Sequence, residues 1–136
     1  MIRQIIHDQF FLAKKSLPAT KNDRQVIQDL HDTLNANQAT CVGLAANMIG
    51  INKRMIIVQM GPLPVVLINP EIVAKKQAYQ TTEGCLSLSG QRATTRYQEI
   101  KVKYLDESFK PRVQVFSGFV AQIIQHEIDH CEGILI

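Results

Sequence analysis

The chain has 136 residues, of which 46% are hydrophobic and 20% charged, the composition expected of a single domain over residues 1–136 with a real buried core. Its formal charge of +3 comes from 15 basic and 12 acidic side chains scattered along the chain, and with no basic stripe the composition argues against direct nucleic-acid binding. No run approaches the roughly 18 apolar residues of a membrane span, the start of the chain carries too short an apolar run for a signal peptide, and three cysteines, an odd number, read as free thiols. A cytoplasmic protein without membrane contact is expected.

In chain order, residues 8–16 predict a short helical turn through Phe10, Phe11 and Leu12, broken at Leu17-Pro18. From Asn22 or Asp23 as a cap, Val26, Ile27, Leu30 and Leu34 recur at helical spacing and predict an amphipathic helix of about four turns. The run Cys41-Val42-Gly43-Leu44-Ala45-Ala46-Asn47-Met48-Ile49-Gly50 is dominated by small residues, which allow another backbone or a ligand to come close. Taken alone it reads as a tight packing loop. Two strands follow, Arg54 to Met60 and Pro64 to Asn69, with a turn at Gly61-Pro62 and Pro70 closing the second. A weaker strand, Ile72 to Gln80, leads to Thr81-Thr82-Glu83-Gly84-Cys85-Leu86-Ser87, where a cysteine follows a glycine at a strand end. From Arg96 to Leu105, Ile100, Val102 and Tyr104 alternate with Lys101 and Lys103, the pattern of a half-buried strand. Asp106 to Pro111 makes a hairpin turn, and Val113, Val115 and Ser117 continue the return strand. The last helix opens at Ser117 or Gly118, presents Phe119, Val120, Ile123, Ile124 and Ile128 as a face to be buried, and ends at Gly133. The fold class is α+β, with mostly antiparallel strands packed around a buried C-terminal helix.

That helix carries His126-Glu127-Ile128-Asp129-His130. Histidines four apart on a helix can aim at one metal ion with the glutamate beside it, which is the arrangement of a metallohydrolase: the ion acidifies a water and the carboxylate moves protons. The plainer interpretation is a pair of hydrogen-bonded core histidines. Because both continue the stripe of Phe119 and Ile123 with no other polar residue at that angle, a shared ligand is favoured. Six residues follow His130, so a third ligand is expected upstream. Candidates are Cys41, Glu83 and Cys85, and also Cys131, which stands about 100° around the helix from His130 and reads as a buried thiol. Spacing barely separates Cys41 from Cys85.

Three stretches, Val42-Gly43-Leu44-Ala45-Ala46, Glu83-Gly84-Cys85-Leu86-Ser87 and Gln125-His126-Glu127-Ile128-Asp129-His130, resemble the three signature motifs of peptide deformylases in order and approximate spacing. The likeness covers nearly the whole chain, including Ile68-Asn69-Pro70-Glu71. It implies an α+β fold centred on the H-E-x-x-H helix and removal of the formyl group from the initiator methionine of new bacterial proteins. The implied substrates are N-formyl-Met peptides and nascent chains, with transient ribosome contact. The implied cofactor is one divalent ion, Fe(II) or Zn(II), with Ni(II) or Co(II) as substitutes. Its ligands would be Cys85, His126 and His130, with Glu127 as acid and base, the Leu86 backbone N–H as an oxyanion donor, and Val42, Gly43, Gly84, Phe119, Gln122 and Ile123 around the substrate. By the same resemblance Glu83 would pair with Arg96, and Asp129 is left between orienting a neighbour and lying on the surface.

The chain departs from the family at Met48, which stands where a glutamine donates to the oxyanion and which cannot donate itself. It departs also at Cys41, where the motif begins with glycine, and at Gln122, a polar residue in an apolar pocket. Two expectations follow: a working deformylase, of reduced activity, with Asn47 or a water replacing the lost donor, or a paralogue that binds metal and formyl-peptide without efficient turnover. Retention of all three ligands and of Glu127 favours the first; hydrolysis of a different small amide is a third.

Overall fold

Five strands form one antiparallel sheet in chain order, β1 (Gly43–Ala45), β2 (Met55–Met60), β3 (Leu63–Gly84), β4 (Gln91–Leu105) and β5 (Pro111–Ser117), in a computed structural model that describes residues 1–136. Ile56, Ile57 and Val58 of β2, and Val66, Leu67 and Ile68 of β3, are buried, which is why their sequence reads as continuous apolar runs without alternation. Ile100, Val102 and Tyr104 point into the core from β4, as the alternation predicts, while Val113 and Val115 lie exposed on the edge strand β5.

The expected break at Pro70 does not occur. One strand of 22 residues runs through it, absorbing the proline in register shifts between Ile68 and Glu71 and between Ile72 and Ala74. A bulge does not need the missing N–H, Asn69 there takes a positive φ of 51°, and Arg54 Nε donates to the Pro70 carbonyl at 2.9 Å. The pairing then continues to Gly84 opposite Gln91, so β4 starts five residues before the expected Arg96.

Helix α1 (Gln9–Leu12) is a single turn capped by Asp8. Helix α2 (Arg24–Ala36) buries Val26, Ile27, Leu30 and Leu34 as its spacing predicts. Asp23 is its N-cap, one of the two expected, and a 3₁₀ turn over Lys21–Asp23, closed by a capping box between Thr20 and Asp23, leads into it. Helix α3 (Gly118–Cys131) packs across β1, β2 and β4 with Ile123, Ile124 and Ile128 buried. Phe119, expected inside, is 64% exposed, because it lies in the first turn of α3. The helix ends at Cys131, and two residues on stands Gly133, where a side chain would collide with the Ala13 carbonyl. None of the helices is long and apolar enough to cross a membrane.

Candidate metal centre and active site

Helical spacing puts His126 and His130 on one face of α3, their rings 5.1 Å apart between centroids and both buried. The end of β3 delivers Cys85 to the same place, its Sγ 3.1 Å from His130 Nε2. One donor atom from each of the three residues lies within 4.8 Å of the others, a spread that a single ion bound at about 2.0–2.3 Å to sulfur and imidazole nitrogen can bridge. The three residues therefore fit a divalent metal. Cys41 does not join them: its thiol donates to the Gly43 carbonyl at 3.0 Å, and burial pushes it up to about 11. Cys131 is fully buried, and burial pushes its thiol up to about 12.

A polar network fixes the first histidine. His126 Nδ1 is 2.8 Å from Glu83 Oε1, which orients the ring and frees its other nitrogen for the ion. Arg96 grips Glu83 through Nε and Nη2, the latter at 2.7 Å, and reaches Asp129 Oδ2 with Nη1 at 2.7 Å. Asp129, left between two roles by the sequence, is thus part of this network. Gln122 Nε2 donates to the second oxygen of Glu83 at 2.9 Å, so its amide is engaged rather than loose in the cleft. Burial opposes ionisation of Glu83, yet His126, Arg96 and Gln122 together hold it down to about 2. Burial likewise opposes a charge on His126, but its contacts with Cys85 and Glu83 raise it to about 10. Burial and the neighbouring His126 charge push His130 down to about 3, leaving it a neutral donor.

Glu127 is 4% exposed, and burial raises its carboxyl to about 7. Its Oε1 has no hydrogen-bond partner, a costly state for a buried polar atom unless something else meets it. It borders a cleft of about 260 Å³ with three walls: Val42, Gly43 and Met48; Gly84, Cys85 and Leu86; and Phe119, Gln122, Ile123 and His126. The run from Cys41 to Gly50, read as a packing loop, is the edge strand β1 followed by a 3₁₀ turn from Ala46 to Ile49. Gly43 is needed there, since a Cβ would lie 2.7 Å from Ile123 Cγ2 and 3.0 Å from Glu127 Oε2. The Leu86 N–H makes no hydrogen bond within the chain. Met48 is buried, and its sulfur accepts from the Ala45 N–H at 3.4 Å. Asn47 is not a replacement donor, because its amide is turned away and donates to the His130 carbonyl at 2.8 Å.

One further residue carries a role that spacing does not show. Gln125 is 4% exposed, accepts from the Tyr97 N–H and donates to the Tyr97 and Ala121 carbonyls, pinning α3 to β4 beside the histidines. An amide inside an apolar helix face is the signal that could have found it.

A family model described as polypeptide deformylase matches residues 2–136. A peptide deformylase of Clostridium beijerinckii is 57% identical over 136 residues, covering 100% of both chains. One of Caldanaerobacter subterraneus is 38% identical over 128 residues, covering 91% of this chain and 79% of its own. Among solved structures, the Met-Ala-Ser-bound class I type b peptide deformylase of Acinetobacter baumannii matches with a TM-score of 0.89 at 32% identity, over 99% of this chain and 97% of that one. The peptide deformylase of Thermotoga maritima gives 0.89 at 32% identity, over 99% and 95%. The sheet wrapped on α3, the converging cysteine and histidines and this full-length kinship agree: the chain belongs to the polypeptide deformylase family and is a metallohydrolase that removes formyl groups.

Proposed function

We propose that Cys85, His126 and His130 hold one Fe(II) or Zn(II) ion and that Glu127 moves the protons as the formyl group is cleaved from the N-terminal methionine of nascent chains. The observation that carries this is the convergence of three ligand atoms within 4.8 Å beside a buried carboxylate with an unpartnered oxygen. A thiolate and two imidazoles suit Fe(II) and Zn(II), with Ni(II) or Co(II) able to substitute. When bound, the ion supplies Lewis acidity, acidifying a water and polarising the formyl carbonyl.

The chain's own groups do the rest. Glu127, raised to about 7, can take a proton from water and return it to the leaving amine nitrogen near neutral pH. The free Leu86 N–H donates to the developing oxyanion, a task to which Met48 contributes nothing. Glu83, Arg96 and Asp129 hold His126 in its ligating orientation. Val42, Phe119 and Ile123 give the cleft apolar surface for a methionine side chain, and the peptide in the Acinetobacter baumannii relative also begins with methionine. The substrate would be met in the cytoplasm as it leaves the ribosome. A binding protein without turnover is not favoured, since full-length relatives carry the enzyme's name and no ligand or proton-transfer group is missing.

The test is formate release from formyl-Met-Ala-Ser by protein loaded anaerobically with Fe(II) or Zn(II), against Glu127→Ala. Release well above that control, with bound metal lost in Cys85→Ser, is expected. No release with either metal, or full metal content in Cys85→Ser, would refute the assignment.

A further inference from the structure

The segment Cys85–Gly90 carries a proposed metal ligand and the proposed oxyanion donor, yet it has no regular secondary structure. It lies between the last ladder pair of the β3–β4 hairpin, Gly84 and Gln91, and its carbonyls have three partners. Leu88 N–H donates to Cys85 O at 3.3 Å, and Arg92 Nη1 donates to Ser89 O at 3.3 Å. The third is His7, whose Nδ1 lies 2.9 Å from Ser87 O; since a carbonyl only accepts, this nitrogen carries the proton. Of the three, only the His7 bond comes from outside the hairpin, across 80 residues of sequence.

The preceding residue holds the opposite wall. Ile6 N–H donates to the Met48 carbonyl at 2.8 Å, and the Ile6 side chain packs beside Gly50. The strand of chain bearing both residues is anchored in turn on α2, by Arg3 N–H to Thr33 Oγ1 at 2.9 Å and Arg3 Nε to Asp29 Oδ2 at 3.0 Å. Consecutive residues therefore tie Met48, on one wall of the cleft, to Ser87, the residue that follows Leu86 of the facing wall.

We infer that Ile6 and His7 form a bracket that sets the width of the cleft, and that His7 is a positioning residue which holds the Leu86 N–H on the oxyanion through the Ser87 carbonyl. With no glutamine at position 48 to share the task, the placement of that N–H matters correspondingly more. His7 is exposed, so its loss should spare the fold. The inference rests on the assignment of Cys85 and Leu86 proposed above.

The test compares the wild type with His7→Ala and His7→Asn in the Zn(II)-loaded protein, because an asparagine amide nitrogen can occupy the place of Nδ1. In His7→Ala, kcat on formyl-Met-Ala-Ser should fall about tenfold with KM within about twofold. The amide order parameters of residues 85–90 should fall while those of α2 stay unchanged, and His7→Asn should restore both readouts. Unchanged kcat in His7→Ala, unchanged order parameters, or equal loss in the two variants would each overturn the bracket in an active enzyme. A wild type that releases no formate while its order parameters still respond to His7→Ala would instead overturn the site assignment, and the positioning role with it.

Discussion

Gly43→Ala tests whether the glutamate is held where the chemistry needs it. The added Cβ would stand 2.7 Å from Ile123 Cγ2, 3.0 Å from Glu127 Oε2 and 3.2 Å from the Ile57 carbonyl oxygen. Carbon atoms in contact prefer about 3.5–4.0 Å, so the first clash is short by about 1 Å. Ile57 belongs to the β1–β2 ladder and cannot retreat, so Ile123 and the Glu127 carboxylate must. Overpacking of this kind costs about 1–3 kcal/mol, which for a chain of this length lowers Tm by about 3–10 °C. A carboxylate displaced by about 1 Å costs on the order of 10²-fold in kcat. Gly84→Ala is the control on the opposite wall, where the new Cβ finds nothing closer than 3.7 Å; its Tm should match the wild type. Thermal melts and formate-release kinetics on both variants decide the matter. A Gly43→Ala protein with wild-type Tm and kcat would show that the close packing of β1 on α3 does not fix the glutamate.

Three further outcomes are expected. Glu127→Gln should lose about 10²–10⁴-fold in kcat, and it should also shift the pH dependence of stability in protein stripped of metal. Burial raises this carboxyl from 4.5 to about 7, so between those values the folded chain keeps a proton that the unfolded chain has lost, and the group's cost to folding grows as pH rises. The variant should gain Tm at about pH 8 and nothing at about pH 4; an equal gain at both would refute the buried-carboxyl account. Met48→Gln places an amide where a thioether stands and should raise kcat at least about tenfold; unchanged kcat would mean that Leu86 and the ion already suffice. Arg96→Ala strips Glu83, itself only 8% exposed, of its guanidinium, and breaking such a buried pair costs about 3–5 kcal/mol. Arg96→Lys should recover little of it, since one ammonium cannot span Glu83 and Asp129 together, and a fully stable lysine variant would contradict that geometry.

The parts of the fold legible in the sequence are those whose signal is local. Val26, Ile27, Leu30 and Leu34 on α2, and Ile123, Ile124 and Ile128 on α3, repeat at the helical period and are all buried. Ile100, Val102 and Tyr104 alternate and face the core. What was hidden depends on partners distant in sequence. Pro70 reads as a strand end, and only the bulge against β4 lets the strand continue. Phe119 matches the apolar stripe but lies exposed in the first turn of the helix. Cys41 stands two residues before Gly43 and Cys85 directly after Gly84, and spacing cannot say that one thiol turns back on Gly43 while the other meets His130. Asn47 and Gln122 show the same limit, for an amide's direction is set by the carbonyl or carboxylate it finds.

The same distinction divides the active site. His126, Glu127 and His130 sit on a buried helix whose backbone bonds are internal and whose flank is stitched to β4 by Gln125, so their geometry follows from the core itself. Cys85 and Leu86 sit on a segment with few bonds, and what holds them is contributed by His7, by the hairpin ends and by the Cys85–His130 contact. The proposed base and two ligands, borne on a helix, can be positioned by packing alone, whereas the proposed oxyanion donor on an irregular loop must be held by named tethers. Under the proposed assignment, catalytic precision is thus most vulnerable on the wall of Cys85 and Leu86, whose backbone N–H and the bonds behind it face a Met48 that cannot donate.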